Sequence, residues 1–349
     1  MHDLIIVGGG PSGLATAIAA REHGLDYLVL EKGVLVNSIY NFPAHMVFFT
    51  TPELMEIGGM PLVTPYEKPT RLEALRYYRR VTDKFDLRIE FGAEVTAVHR
   101  ESATGDFTVR VTYGGGASAP RAAEYHARAV VLALGYYDHP NRLNVPGEDL
   151  PHVSHYYRDA HSGYRQNVVV VGGKNSAAEA ALELHRGGAH VTLVHRRKTL
   201  GASIKYWVKP DIENRIAEGS IAARFETRVV EITPEAVIVE PATTTVGAAD
   251  RGAREAIAAD RVYLLTGYHA DFDLLARCGV TVDPESGVPT YDASTLESNV
   301  PNLFFAGGVV AGKDTAPIFI ENGRFHGERL VNVLAGRLAS AGALAEQVE

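Results

Sequence analysis

From Asp3 to Gly33 the chain alternates apolar runs with small residues in a definite order, DLIIVGGGPSGLATAIAAREHGLDYLVLEKG. An apolar run of strand type enters a glycine-rich turn. An alanine-rich stretch of helical type, a glycine and a second apolar run follow. The same order returns at 167–198 as NVVVVGGKNSAAEAALELHRGGAHVTLVHRRK, and adding 164 carries Gly8 onto Gly172, Gly13 onto Ala177, Gly24 onto Gly188 and Glu31 onto His195. Each copy predicts a βαβ unit of the nucleotide-binding kind.

Between and after the copies the period changes. GAEVTAVHR (92–100) and FTVRVTY (107–113) alternate apolar and polar positions, as antiparallel strands do, and 113–123 has the composition of a hairpin tip. ARAVVLALGYYDHP (127–140) predicts a buried strand ending at Gly135, and PNRLNVPGEDLP (140–151) a linker between domains. TRVVEITPEAVIVE (227–240) is strand-like, 241–256 reads as an exposed loop, and RVYLLTGYHAD (261–271) predicts a second strand ending at Gly267. A strand, a glycine turn and a closing helix complete the chain, with a frayed tail from Ala339. The fold class is α/β, with two Rossmann-like dinucleotide-binding domains. The first is formed by 1–150 and 268–349, and the second, 151–267, is inserted into it.

Composition narrows the chemistry. A length of 349 residues with 46% apolar and 22% charged residues fits two ordinary globular domains. The formal net charge of −8 argues against nucleic acid as a partner, because that needs a basic face. Cys278 is the single cysteine, which excludes an intrachain disulfide, a CxxC redox pair and a cysteine zinc site. None of the 14 histidines stands at a metal-ligand spacing, so no metal site is expected. No stretch of apolar residues is long enough for a membrane span. The first residues carry Asp3 and three glycines where a secretion signal needs basic and then unbroken apolar residues, so they read as the first strand and helix of the fold and the expected location is cytoplasmic.

The turn residues have separate tasks. Gly8 permits the tight turn, Gly10 lets backbone N–H groups approach a pyrophosphate, and Gly13 lets helix and strand pack closely. The helix N-terminus adds unpaired N–H groups and partial positive charge. Glu31, ending the next strand, accepts hydrogen bonds from a ribose diol and repels a 2′-phosphate, which suits FAD or NAD. At the equivalent place stand His195, Arg196, Arg197 and Lys198, a cluster that suits the additional phosphate of NADPH. Lys174 replaces the middle glycine of the second turn, giving up close backbone approach but offering an ammonium to a phosphate.

These two units in this order resemble the thioredoxin reductase-like flavoproteins, and within them the bacillithiol disulfide reductases, FAD- and NADPH-dependent proteins that lack the CxxC motif. The resemblance is carried by GGGPSG (8–13), LEKG (30–33), SIYNFPAH (38–45), ALGYYD (133–138), VVGGKNSAAEAALEL (170–184), GYHAD (267–271) and AGGVVAGKDTAPIFIENGRFHG (306–327). It implies an NADPH domain inserted into an FAD domain. FAD contacts would come from Gly8, Gly10, Pro11, Ser12, Gly13, Glu31, Lys32, Asn41, Val95, Gly135, Gly308 and Ile320. NADPH contacts would come from Gly173, Lys174, Asn175, Ser176, His195, Arg196 and Arg197. It also places His45 near the flavin edge, as a candidate proton donor beside Ser12.

Two departures bear on the reaction. Thioredoxin reductases have an aspartate where this chain has Gly308, and members with a characterised disulfide activity have a cysteine where it has Ser12. A serine forms no mixed disulfide. Cys278, at a predicted helix end before Gly279, reads as a buried structural thiol. The expected activity is therefore hydride transfer from NADPH to FAD and onward transfer to a low-molecular-weight disulfide or a small redox protein. HVSHYYRDAHSGY (152–164), standing where the CxxC would be, reads either as a substrate channel or as interdomain surface. A ferredoxin or flavodoxin reductase, a flavin monooxygenase and a non-enzymatic flavin redox sensor are the competing readings. The monooxygenase motif F-x-G-x-x-x-H is missing around Leu150 and His152. The resemblance further implies a homodimer or homotetramer.

Overall fold

A computed structural model describes residues 1–114, 119–243, 254–315 and 317–346. Parts of the expected hairpin tip (115–118), exposed loop (244–253) and tail (347–349) lie outside the described residues. Two compact units are present. The first comprises Met1–Asn41, Val47–His139 and Tyr268–Glu349, the second Phe42–Met46 and Pro140–Gly267.

In the first unit, in chain order, the elements are β1 (His2–Val7), α1 (Pro11–Glu22), β2 (Tyr27–Glu31), α2 (Asn37–Asn41), α3 (Arg71–Lys84), β3 (Ile89–Phe91), β4 (Ala93–Arg100), β5 (Phe107–Tyr113) and β6 (Arg121–Leu132). The chain then leaves through β7 (His139–Pro140). The second unit holds β8 (Val153–Ser154), β9 (Asn167–Val171), α4 (Asn175–Arg186), β10 (His190–Val194), α5 (Lys209–Ala217) and β11 (Ala222–Arg224). It continues with β12 (Thr227–Ile232), β13 (Ala236–Pro241), β14 (Glu255–Ala258) and β15 (Arg261–Leu264). The return consists of β16 (Tyr268–His269), α6 (Phe272–Arg277), β17 (Leu303–Phe305), α7 (Ile320–Gly323) and α8 (His326–Glu346).

The first unit's sheet runs β3-β2-β1-β6-β5-β4, with β17 also on β6. Its strands β3, β2, β1, β6 and β17 are parallel, as a doubly wound nucleotide-binding sheet requires. β6 starts six residues earlier than its apolar run predicts. From Arg121 to Ala127 it pairs antiparallel with β5, and from Ala127 to Leu132 parallel with β1. Only the second half is buried on both faces, which is why only that half reads as apolar. Residues Gly13–Ala20 of α1 are all buried, so the helix is small and apolar on every side. Its pairing with α8 is close: a Cβ on Gly327 would stand 2.5 Å from the Thr16 nitrogen.

The second unit repeats the arrangement in a parallel sheet, β11-β10-β9-β15-β8, beside an antiparallel β12-β13-β14. Adding 164 to the ends of α1, Pro11 and Glu22, gives Asn175 and Arg186, the ends of α4. The stretch expected as a linker, 140–151, is instead part of this unit. Leu143, Val145 and Leu150 pack on its core, and the buried carboxylate of Glu148 accepts the N–H groups of Leu143 and Asn144 at 2.8 and 2.7 Å. β7 and β16 pair with each other where the chain leaves and re-enters the first unit. Tyr137 lies 4.6 Å from Tyr268 there, and His139 lies 5.9 Å from His269.

Candidate functional site

The turn between β1 and α1 is closed on two sides and open on a third. A Cβ at Gly8, whose φ is +110°, would stand 2.5 Å from the Ala133 oxygen, and one at Gly13 would stand 2.0 Å from the Gly8 oxygen. A Cβ at Gly10 would meet nothing within 4 Å. Gly8 and Gly13 are thus required by the protein's own packing, whereas Gly10 leaves its space to something from outside. Glu31 is only 5% exposed. Its two oxygens accept the N–H groups of Gly9 and Gly33, each at 2.7 Å. Burial raises its pKa above the ordinary value, against the pull of those two N–H groups, and Asp138 adds to the rise. Lys32 turns to Asp138, with 2.9 Å between nitrogen and oxygen.

Several of the other expected residues gather at the same end of the sheet. Gly135 has φ +64° and open space at its Cβ position. A Cβ at Gly308 would stand 2.8 Å from the Tyr136 ring and 3.9 Å from the Gly135 Cα. The Tyr136 ring occupies the space that a Cβ at 308 would need. Ser12 Oγ would be 2.4 Å from a Gly307 Cβ and 3.1 Å from a Gly323 Cβ, so the hydroxyl is walled by two glycine backbones. Asn41 donates its side-chain N–H to the Asn37 oxygen at 3.0 Å, and its own carbonyl accepts the Tyr137 hydroxyl at 3.3 Å. The Val95 side chain belongs to the core cluster that also holds Val7 and Leu132, and its backbone pairs in register with Val111 of β5. Ile320 is the first residue of α7.

In the second unit Gly172 plays the part of Gly8: a Cβ there would stand 2.5 Å from the Leu265 oxygen and 2.8 Å from the Ala177 Cβ. His195 takes the place of Glu31, and its ring atoms lie 2.2–2.5 Å from where a Gly173 Cβ would stand. Burial and the flanking Arg197 and Arg196 lower its pKa, so a neutral ring covers Gly173. Lys174, Ser176, Arg196, Arg197 and Lys198 are all exposed. Asn175 opens α4 and bonds the following loop, donating to the Ser203 oxygen at 3.0 Å and accepting the Lys205 N–H at 2.8 Å. The Gly201 N–H donates to the Gly173 oxygen at 2.8 Å, so this loop straps the turn.

His45 lies in the Phe42–Met46 segment that joins the second unit, where the Ala44 N–H donates to the Arg158 oxygen at 2.8 Å. With Asp159, His161, Tyr164 and Glu183 it lines a recess of about 550 Å³ at the C-terminal end of α4. Of the 152–164 stretch, His161 and Tyr164 line this recess, while Tyr157 is buried edge-on to Tyr263. Cys278 caps α6 and is buried, with its thiol pushed up to about 11 by desolvation. Among the described residues no group of three or more His, Cys, Asp or Glu could hold a metal ion, and no helix is long and apolar enough to cross a membrane.

Sequence reasoning passed over Tyr136, Asp138 and the 199–205 strap. Tyr136 and Asp138 stand inside ALGYYD (133–138), where the glycine carries the turn signal and the two side chains carry none. The strap carries no motif.

Residues 5–307 match the family described as pyridine nucleotide-disulphide oxidoreductase. The bacilliredoxin reductase Bdr of Bacillus subtilis is 40% identical over 335 residues, covering 95% of this chain and 97% of that protein. The bacillithiol disulfide reductase Bdr (YpdA) of Bacillus cereus superposes with a TM-score of 0.89 at 40% identity, covering 96% of this chain and 99% of that one. Its counterpart from Staphylococcus aureus gives 0.87 at 36% identity, with 96% and 98% covered.

Proposed function

The chain belongs to the pyridine nucleotide-disulphide oxidoreductase family, and from that premise we propose that it is an FAD-containing, NADPH-dependent oxidoreductase of the bacillithiol disulfide reductase type. The balance is NADPH + H⁺ + RSSR → NADP⁺ + 2 RSH, where RSSR is a low-molecular-weight disulfide. The observation that carries this reading is the contrast at position 31 and its repeat at 195. A buried carboxylate ends the second strand of one unit, and a neutral ring followed by three exposed cations ends that of the other.

The residues of the first turn fit FAD. The open space at Gly10 admits a pyrophosphate to the head of α1, and Glu31 accepts from a ribose diol. Those of the second unit fit NADPH, with Arg196, Arg197 and Lys174 meeting phosphates and His195 bordering the adenosine pocket. When bound, the flavin supplies the two-electron chemistry that links a hydride donor to a disulfide acceptor. Ser12 forms no sulfur bond, and Cys278 is a lone, buried and protonated thiol. The acceptor therefore takes its electrons without a protein disulfide relay. The resemblance to the bacillithiol disulfide reductases supports a homodimer or homotetramer working in the cytoplasm.

The test is anaerobic reduction of the purified yellow protein. NADPH should bleach the flavin much faster than NADH, and an oxidised low-molecular-weight thiol should accelerate NADPH oxidation. Failure of every disulfide to do so refutes the substrate assignment. Acceleration by a one-electron carrier protein instead would establish the second reading, which Ser12 favours.

A further inference from the structure

His326 opens α8 and is 8% exposed, one of the few buried polar residues of the first unit. Its Nδ1 accepts the Gly307 N–H at 3.1 Å. A ring nitrogen that accepts carries no proton, so the imidazole is the neutral tautomer with its hydrogen on Nε2. Gly307 stands at the first position of the short 307–311 helical turn, directly after β17 and Ala306, whose N–H is bonded to the Leu132 oxygen at 3.1 Å. It has φ +74°, and its Cα side is pressed on Ser12 and Gly323. With a strand behind it, Ser12 in front and α7 beside it, Gly307 keeps this conformation only while its N–H has a buried acceptor.

We infer that His326 is a positioning residue for the flavin, acting through Gly307 to hold the 307–311 turn against Ser12 at the head of α1. The inference rests on the reading that Gly308 and the first turn meet FAD. Protonation would turn Nδ1 from acceptor to donor, facing the Gly307 N–H with a second hydrogen. Burial, and secondarily Arg329 one turn along α8, keep the ring below its ordinary pKa. The next residue on α8, Gly327, packs on Thr16 of α1, and Gly307 itself lies between Ser12 and Gly323 of α7. The device therefore holds through neutral pH and fails only on the acid side.

The experiment compares His326→Asn, whose Oδ1 can take the place of Nδ1, with His326→Ala. FAD affinity is read by flavin fluorescence after stripping and reloading, and the flavin midpoint potential by dye equilibration. The Ala variant should bind FAD roughly ten- to a hundredfold more weakly, as expected for one buried N–H left without its acceptor. The Asn variant should restore affinity and potential to near wild type, and should lack the acid-side weakening of FAD binding expected of the wild type below pH 6.5. Should Ala fail to fold, ¹⁵N-histidine spectra of wild-type holoprotein at neutral pH decide, since an Nδ1–H signal for His326 overturns the inference. It is equally overturned by wild-type affinity and potential in the Ala variant, or by an Asn variant no better than Ala. If wild-type protein binds no flavin at all, the reading of the first unit fails, and that result is distinct from these.

Discussion

Replacing Arg196 and Arg197 together by alanine separates the two coenzymes. A phosphate monoester carries about −1.5 to −2 charges at neutral pH. Opposite unit charges 4 Å apart attract by about 1 kcal/mol in bulk water and about 4 kcal/mol at an effective dielectric constant of about 20. Both guanidinia are exposed, so solvent and salt hold each near the lower end, about 1–2 kcal/mol against a 2′-phosphate. Their joint loss of about 2–4 kcal/mol corresponds to a roughly 30- to 1000-fold fall in kcat/KM for NADPH. NADH lacks the 2′-phosphate, so its kcat/KM should change by less than about threefold. Anaerobic stopped-flow bleaching with both coenzymes, at two ionic strengths, measures this directly. The wild-type preference for NADPH should shrink as salt rises, and the variant should show little salt dependence. An equal fall for both coenzymes would refute the reasoning, because the arginines would then be serving the fold or the shared pyrophosphate.

Three further outcomes follow from the geometry. Gly13→Ala places a methyl 2.0 Å from the Gly8 oxygen and should destabilise the protein by about 1–3 kcal/mol, whereas Gly10→Ala enters open space and should keep the apoprotein melting temperature while weakening FAD binding; thermal melts and fluorescence titration check both. His195 is held below its ordinary 6.5, so its contribution to stability is complete above pH 6.5 and is lost as pH falls; His195→Gln should flatten the melting-temperature profile on the acid side of pH 6.5. Cys278→Ala should leave disulfide turnover within about twofold of wild type, and iodoacetamide should label the native thiol far more slowly than the denatured one, since burial pushes it up to about 11.

The nucleotide-binding halves were legible because their constraints are local. A strand, a turn and a helix occupy consecutive residues, and α4 falls 164 residues after α1 at both ends. The charge contrast of Glu31 with the 195–198 cluster could be read for the same reason. What stayed hidden depends on partners distant in the chain. The polar first half of β6 becomes a strand only because β5 lies beside it. The 140–150 stretch has the prolines and glycine of a linker, yet Glu148 folds it onto the second unit by taking two backbone N–H groups. His45 joins the second unit through a five-residue excursion that no periodicity marks. The match of Gly308 to Tyr136 is likewise invisible until two segments 172 positions apart are brought together.

The pairing of β7 with β16 makes residues 140–267 a cassette. Its entry and exit lie next to each other, so the whole stretch can be cut out and the gap spanned by a tight turn, without rethreading the remaining sheet. The Phe42–Met46 segment, which belongs to the same unit, would lose its seat. A single splice point thus suffices to graft a coenzyme-binding module onto such a scaffold, or to exchange it for one with a different preference.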